Sequence, residues 1–108
     1  MSKTRKFNNY LIESLKDSKE ASAYLNAALE EYKKDNNAEA FLSALRDVAQ
    51  ARGGISQLAQ KTKLNRQNLY RALSGKGNPQ LLTLGNILSG LGFHFFIEPI
   101  KHRFYRTN

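Results

Sequence analysis

Apolar residues return at helical spacing through most of this chain, and each interruption carries a capping or turn signal. Phe7, Tyr10, Leu11 and Leu15 fit one face of a short first helix. Asp17 with Glu20 makes a capping-box-like start for a second helix, Ser18 to about Lys34. Its inward stripe is Ala21, Tyr24, Leu25, Ala28, Leu29 and Tyr32, and Lys33 and Lys34 sit in the last turn, where cations complement the helix dipole. Asp35-Asn36-Asn37 breaks the pattern. Asn36 with Glu39 suggests another capping box, ahead of a third helix from Ala38 to Ala51 that buries Phe41, Leu42, Leu45, Val48 and Ala49. Gly53-Gly54 ends it.

The stretch from Gly53 to Gly77, GGISQLAQKTKLNRQNLYRALSGKG, predicts two short helices joined by a tight turn. Ser56 is an N-cap candidate for the first, Gln57 to Thr62, with Leu58 and Ala59 inward. Asn65 repeats the signal for the second, Arg66 to about Ser74, stopped by Gly75 at an expected left-handed C-cap. Leu64, Leu69, Ala72 and Leu73 form the inward stripe. Arg66, Gln67, Asn68, Tyr70 and Arg71 face out, with no acid among them. Such a face suits the reading of base edges.

Beyond the loop Gly75–Asn78, Pro79 suits the entry to a further helix, Gln80 to about Gly90, packing Leu81, Leu82, Leu84, Ile87, Leu88 and Leu91. After Gly92 the period changes. Phe93–Glu98 is aromatic and β-branched, and Pro99 stops it, so a single short strand is expected in an otherwise helical chain. Residues 1–6 read as a frayed basic arm and Lys101–Asn108 as a mobile basic tail.

Length bounds this to one domain: N-terminal helices over 7–51, a helix-turn-helix core over 52–92 and a strand over 93–98. There is no cysteine, hence no disulfide, thiolate metal site or cysteine nucleophile. No secretory signal or bilayer-length apolar run is visible, so a cytoplasmic protein with no membrane partner is expected. The formal charge of +8 is unevenly placed. Residues 7–50 hold five basic against eight acidic groups, whereas residues 51–108 hold nine basic groups against Glu98 alone. Between Arg52 and Ile97 there is no carboxylate, while Arg52, Lys61, Lys63, Arg66, Arg71 and Lys76 all lie there. A one-signed field of this kind suits phosphate binding.

The central motif resembles the helix-turn-helix of phage-repressor-type (Xre/Cro-like) proteins, with Ala59 at the small position, Leu64 in the turn, and Leu69 and Ala72 at buried positions of the recognition helix. Lys63 departs from it, standing where that family often has Gly; a positive φ there would strain the backbone modestly. The resemblance extends further. YLNAALEE, ALRDVAQARGGISQLA and NLYRALSGKGNPQLLTL are similar to the probable addiction-module antidote proteins, helix-turn-helix antitoxins of HigA-like type. That resemblance implies a mostly α, phage-repressor-like bundle with extra N-terminal helices and one short C-terminal strand. It also implies an antitoxin that binds a small cognate toxin of the RelE/HigB-like ribonuclease class and represses its own operon.

Catalytic chemistry is hard to assemble. His94 and His102 are the sole histidines, neither has a nucleophilic neighbour in sequence, and no His/Cys cluster has ligand spacing. No enzymatic activity, metal or cofactor is expected. For DNA, residues early on the recognition helix enter the major groove first, so Arg66 and Gln67 are the base readers, to guanine and adenine respectively. Tyr70 and Arg71, one turn on, reach bases, a thymine methyl or phosphate. Gln57, Ser74, Lys76 and Asn78 are the expected phosphate contacts. Phe93, Phe95 and Ile97 share one face of the strand and are expected to pair with the same strand of a second copy, giving a homodimer. Toxin binding is expected within residues 7–50, of opposite charge to the DNA-binding half. Two other readings stay open: a protein-interaction inhibitor whose helix-turn-helix is only a scaffold, and a stand-alone phage-type repressor.

Overall fold

The computed structural model describes residues 5–101. Of the arm expected over residues 1–6, residues 1–4 lie outside the described residues, as do the side chains of residues 5–7 and the tail from His102 to Asn108, while the backbone of Arg5 and Lys6 is already helical. Six helices follow one another: α1 Arg5–Ser14, α2 Ser18–Asp35, α3 Glu39–Ala51, α4 Gly54–Thr62, α5 Arg66–Ala72 and α6 Leu81–Gly90. Two of them organise the rest. α3 packs against α1, α2 and α4, and α4 packs in turn against α3, α5 and α6. The chain is elongated, 50 × 33 × 25 Å.

The core explains that arrangement. α3 carries Phe41, Leu42, Ala44, Leu45, Val48, Ala49 and Ala51, all buried, so apolar residues cover more than one side of it. A helix that is apolar over so wide an arc has to be surrounded. Leu15, Ala21 and Leu25 meet it from the N-terminal side, and Leu58, Leu69, Leu73, Ile87, Leu88 and Leu91 continue the same core through the other half.

Local chemistry sets the boundaries. Asp17 accepts from the Glu20 N–H at 3.0 Å and caps α2 as its spacing predicts. Asn36, however, is not the cap of α3. It ends α2 in the left-handed region, φ 56°, donating its N–H to the Tyr32 carbonyl, while Asn37 accepts from Glu39 N–H at 2.9 Å. A short amide side chain tolerates the left-handed conformation, so one asparagine closes a helix and the next turns the chain into another. At α4 the helix begins at Gly54 with Gly53 as its cap, and Ser56 lies in the first turn instead. The two glycines sharpen the turn and let the helix start earlier than a serine cap would. Asn65 caps α5 as expected, accepting from Asn68 N–H at 2.7 Å. Gly75 is not left-handed; α5 closes on Leu73, and a tight turn follows with Gly77 N–H on the Ser74 carbonyl at 2.9 Å. Gly77 is the residue this turn needs, because a Cβ there would lie 2.4 Å from the Ala72 carbonyl oxygen.

Three apolar expectations need correcting. Leu29 and Tyr32 are exposed, because the second half of α2 runs past the end of the core. Leu81 and Leu82 are exposed too, so α6 packs through Ile87, Leu88 and Leu91 rather than along its whole length. Finally, Phe93–Glu98 is not a strand: among the described residues there is no strand at all. Aromatic, β-prone composition favours a strand only where a neighbouring edge completes the hydrogen-bond ladder, and the described residues offer no such edge.

Candidate nucleic-acid interface

α4 and α5 pack on each other across the turn Lys63–Asn65. Lys63 does adopt the left-handed conformation, φ 62°, where glycine would be free of strain, and donates its N–H to the Ala59 carbonyl at 2.9 Å. Leu64 and Ala59 pack against the core beside the turn, and buried Leu69 anchors α5. With Leu69 inward, Arg66, Gln67, Asn68, Tyr70 and Arg71 are left in solvent. Among the described residues, the side chains of Arg66, Gln67 and Tyr70 make no hydrogen bond or ion pair, so their side-chain donors are free. Arg71 places one guanidinium nitrogen 3.3 Å from Asn68 Oδ1, which ties these two side chains to each other.

The expected phosphate contacts divide. Lys76 and Asn78 are exposed in the loop beyond α5, at the opposite end of that helix from Arg66, about 10 Å away at 1.5 Å per residue. Ser74 instead donates its hydroxyl to the Arg71 carbonyl at 3.0 Å and closes the end of α5. Gln57 folds back over Gly53, its side-chain oxygen occupying the space a Cβ there would need. Ser74 is thus engaged by a carbonyl that the helix end leaves without a partner, whereas Gln57 lies over Gly53 without a side-chain hydrogen bond among the described residues.

Two residues alter the field drawn from sequence alone. Arg52, half-buried, ties the scaffold together. Its Nε donates to the Leu91 carbonyl at 3.1 Å, Nη1 to the Lys16 carbonyl at 3.1 Å and Nη2 to Ser18 Oγ at 3.3 Å, and the guanidinium lies over the Phe93 ring at 5.4 Å. One fork thereby joins the α1–α2 junction to the end of α6. Glu39 makes the converse move. It begins α3, yet its carboxylate lies beside Gly75, 3.2 Å from where a Cβ would stand, next to Lys76. The basic field is therefore Lys61, Lys63, Arg66, Arg71 and Lys76, all exposed, with one acid near its far end. Neither contact has a signal in sequence spacing, since 39 residues separate Arg52 from Leu91.

α3 also grips α5 from behind, because Arg46 Nη1 donates to the Leu73 carbonyl at the end of that helix. Tyr24 donates to Asp47 Oδ2 at 2.6 Å across α2 and α3, and burial, then the Asp47 hydrogen bond and charge, push its phenol well above the usual tyrosine range. Of the three expected pairing residues, Phe93 stacks on Arg52, Phe95 touches Gly85 of α6 with about half its surface still exposed, and Ile97 is exposed almost fully.

A family model described as probable addiction module antidote protein matches residues 3–99. The chain belongs to that family. It is also 40% identical over 86 residues to an uncharacterized protein of Haemophilus influenzae, a match covering 80% of this chain and 84% of the relative. No solved structure matches. Membership gives the antidote an antitoxin role in an addiction module and implies a toxin partner. No helix of the antidote among the described residues is long and apolar enough to cross a membrane.

Proposed function

We propose that the antidote neutralises a cognate toxin of the RelE/HigB-like ribonuclease class and represses its own operon, binding double-stranded operator DNA as a homodimer and performing no catalysis of its own. The observation that carries the DNA half is the free donor face of α5: Arg66, Gln67 and Tyr70 stand in solvent without partners on a helix whose cap and buried leucine fix its orientation. Unpaired cations and amides on a short rigid helix keep their hydrogen-bonding capacity for a base edge. Residues 7–50 supply the toxin-facing part in this reading, and Lys76 and Asn78 the flanking phosphate contacts.

The test is titration of fluorescent promoter DNA from the antidote's own operon at several salt concentrations. Each good bidentate base contact is worth ~1–3 kcal/mol, so Arg66→Ala and Gln67→Ala lose roughly tenfold or more in operator affinity and relax its selectivity. Lys76→Ala weakens all sequences alike and lowers the salt slope by about one. Operator binding by Arg66→Ala as tight and selective as wild type would overturn the assignment of α5.

A further inference from the structure

One acid stands at the end of the basic field, beside the loop that follows α5. Two side chains of a single face of α3 reach that loop. Glu39 and Arg46 are two helical turns apart on α3 and so lie one above the other. Arg46 donates to the Leu73 carbonyl, where α5 ends. Glu39 meets the chain two residues further on, its Oε2 3.2 Å from where a Cβ on Gly75 would stand, and its Cδ and Cγ at 3.6 Å. The missing side chain at Gly75 leaves room for the carboxylate.

The turn beside that carboxylate is rich in unused donors. It closes through Gly77 N–H on the Ser74 carbonyl, and the N–H groups of its central residues, Gly75 and Lys76, have no partner among the described residues. The Lys76 ammonium makes no ion pair there, and the Glu39 carboxylate accepts no hydrogen bond and meets no cation within ion-pair distance. Glu39, Gly75 and Lys76 are all exposed. Free backbone N–H groups and a free lysine in a glycine turn are the chemistry that holds a DNA phosphate. Glu39 carries the phosphate's own sign to the edge of that seat. For exposed unit charges about 4 Å apart, such repulsion is worth roughly fivefold in affinity.

We propose that Glu39 sets the strength of backbone binding: its carboxylate opposes the DNA phosphate that Lys76 attracts, and so lowers the affinity of the antidote for DNA of every sequence. This rests on the operator reading above, and it brings a residue of the N-terminal half to the phosphate end of the interface. The penalty falls on all sequences alike, but only sites with base contacts have a second source of affinity. Complexes held by phosphate contacts alone are therefore the first to dissociate at a given concentration. Charge at Lys76 draws DNA in, and the base contacts of α5 decide where it stays.

Titration of the full chain with two fluorescent duplexes, its own promoter and a scrambled sequence of equal length, tests it. Glu39→Gln keeps the shape and removes the charge; it binds both duplexes roughly fivefold more tightly at about 0.1 M salt, and the gain shrinks as salt is raised. Loss of fold lowers affinity, so damage to the chain cannot produce this gain. Glu20→Gln makes the same change in net charge near the other end of α3, where Arg52 meets Ser18 at the start of α2. That end is roughly 18 Å from Glu39 along the helix, beyond a Debye length of about 10 Å, so Glu20→Gln binds as the wild type does. In a Lys76→Ala background the gain from Glu39→Gln falls below about twofold, because no lysine then holds the phosphate at this turn. Wild-type binding with Glu39→Gln unchanged or weaker would overturn the inference alone. So would an equal gain in Glu20→Gln, or a full gain without Lys76. If the wild type and Glu39→Gln both ignore promoter DNA, the operator reading falls and this inference with it.

Discussion

The outer half of α2 and the exposed face of α5 both present charged and polar side chains to solvent, and they differ in whether those charges are occupied. On α2, Lys33 meets Glu30 at 3.2 Å and Lys34 meets Glu31 at 3.6 Å. Each cation has its anion one turn away, which stabilises a solvated helix by a few tenths of a kcal/mol per pair and leaves little net field. On α5 the cations have no acid to meet within the helix, and Arg66 keeps all its donors. Exposed charge is therefore a weak indicator of an interface, and unpaired charge of one sign a better one. The comparison also weakens a purely electrostatic account of toxin binding, since the acidic excess of residues 7–50 is partly neutralised where α2 is most exposed.

The two regions nevertheless share one core, and the strongest way to break the contrast is to cut that core. Leu45→Ala, at a position with no exposed surface, costs ~2–5 kcal/mol. Thermal unfolding should show a single destabilised transition, with operator and toxin binding lost together. Two separate transitions would mean that the halves fold independently.

Tyr24→Phe removes the bridge between α2 and α3 and costs about 1 kcal/mol. Its pH dependence has a definite sign. The phenol is raised in the fold, so its contribution is complete below the ordinary tyrosine pKa of ~10 and is lost as pH rises through the higher folded value. Alkaline titration followed by ultraviolet absorbance should show Tyr24 among the five tyrosines lagging behind, and Tyr24→Phe should remove that late step.

Asn65→Ala tests α5 alone. Loss of a cap of this kind costs ~0.5–2 kcal/mol, and on a helix of 7 residues the cost should appear as fraying at Arg66 and Gln67. Operator affinity should fall while toxin affinity holds, and a binding assay with each partner separates the two. The smallest effect is expected from Glu30→Lys with Glu31→Lys. Because both acids are already paired on α2, toxin affinity should change by ~1 kcal/mol or less. A hundredfold loss in that variant would restore the electrostatic account and narrow the contrast between α2 and α5.

Local signals in this chain were legible one helix at a time. Asp17 and Asn65 announce their caps by spacing, the apolar stripes place α1 to α6, and the free polar face of α5 follows from where Leu69 must point. Helix periodicity and capping depend on residues three or four positions apart, so the chain determined them by itself. Three-dimensional packing decided the rest. It took Arg52 out of the basic field and spent its donors on carbonyls 36 and 39 residues away, and it carried Glu39 to the loop beside Lys76. It turned Phe93 inward under Arg52, laid one edge of the Phe95 ring on Gly85 and left Phe96 and Ile97 outside. It also left an aromatic segment without the neighbour that would make it a strand, because a strand is a property of two backbones and the sequence of one segment specifies only half of it.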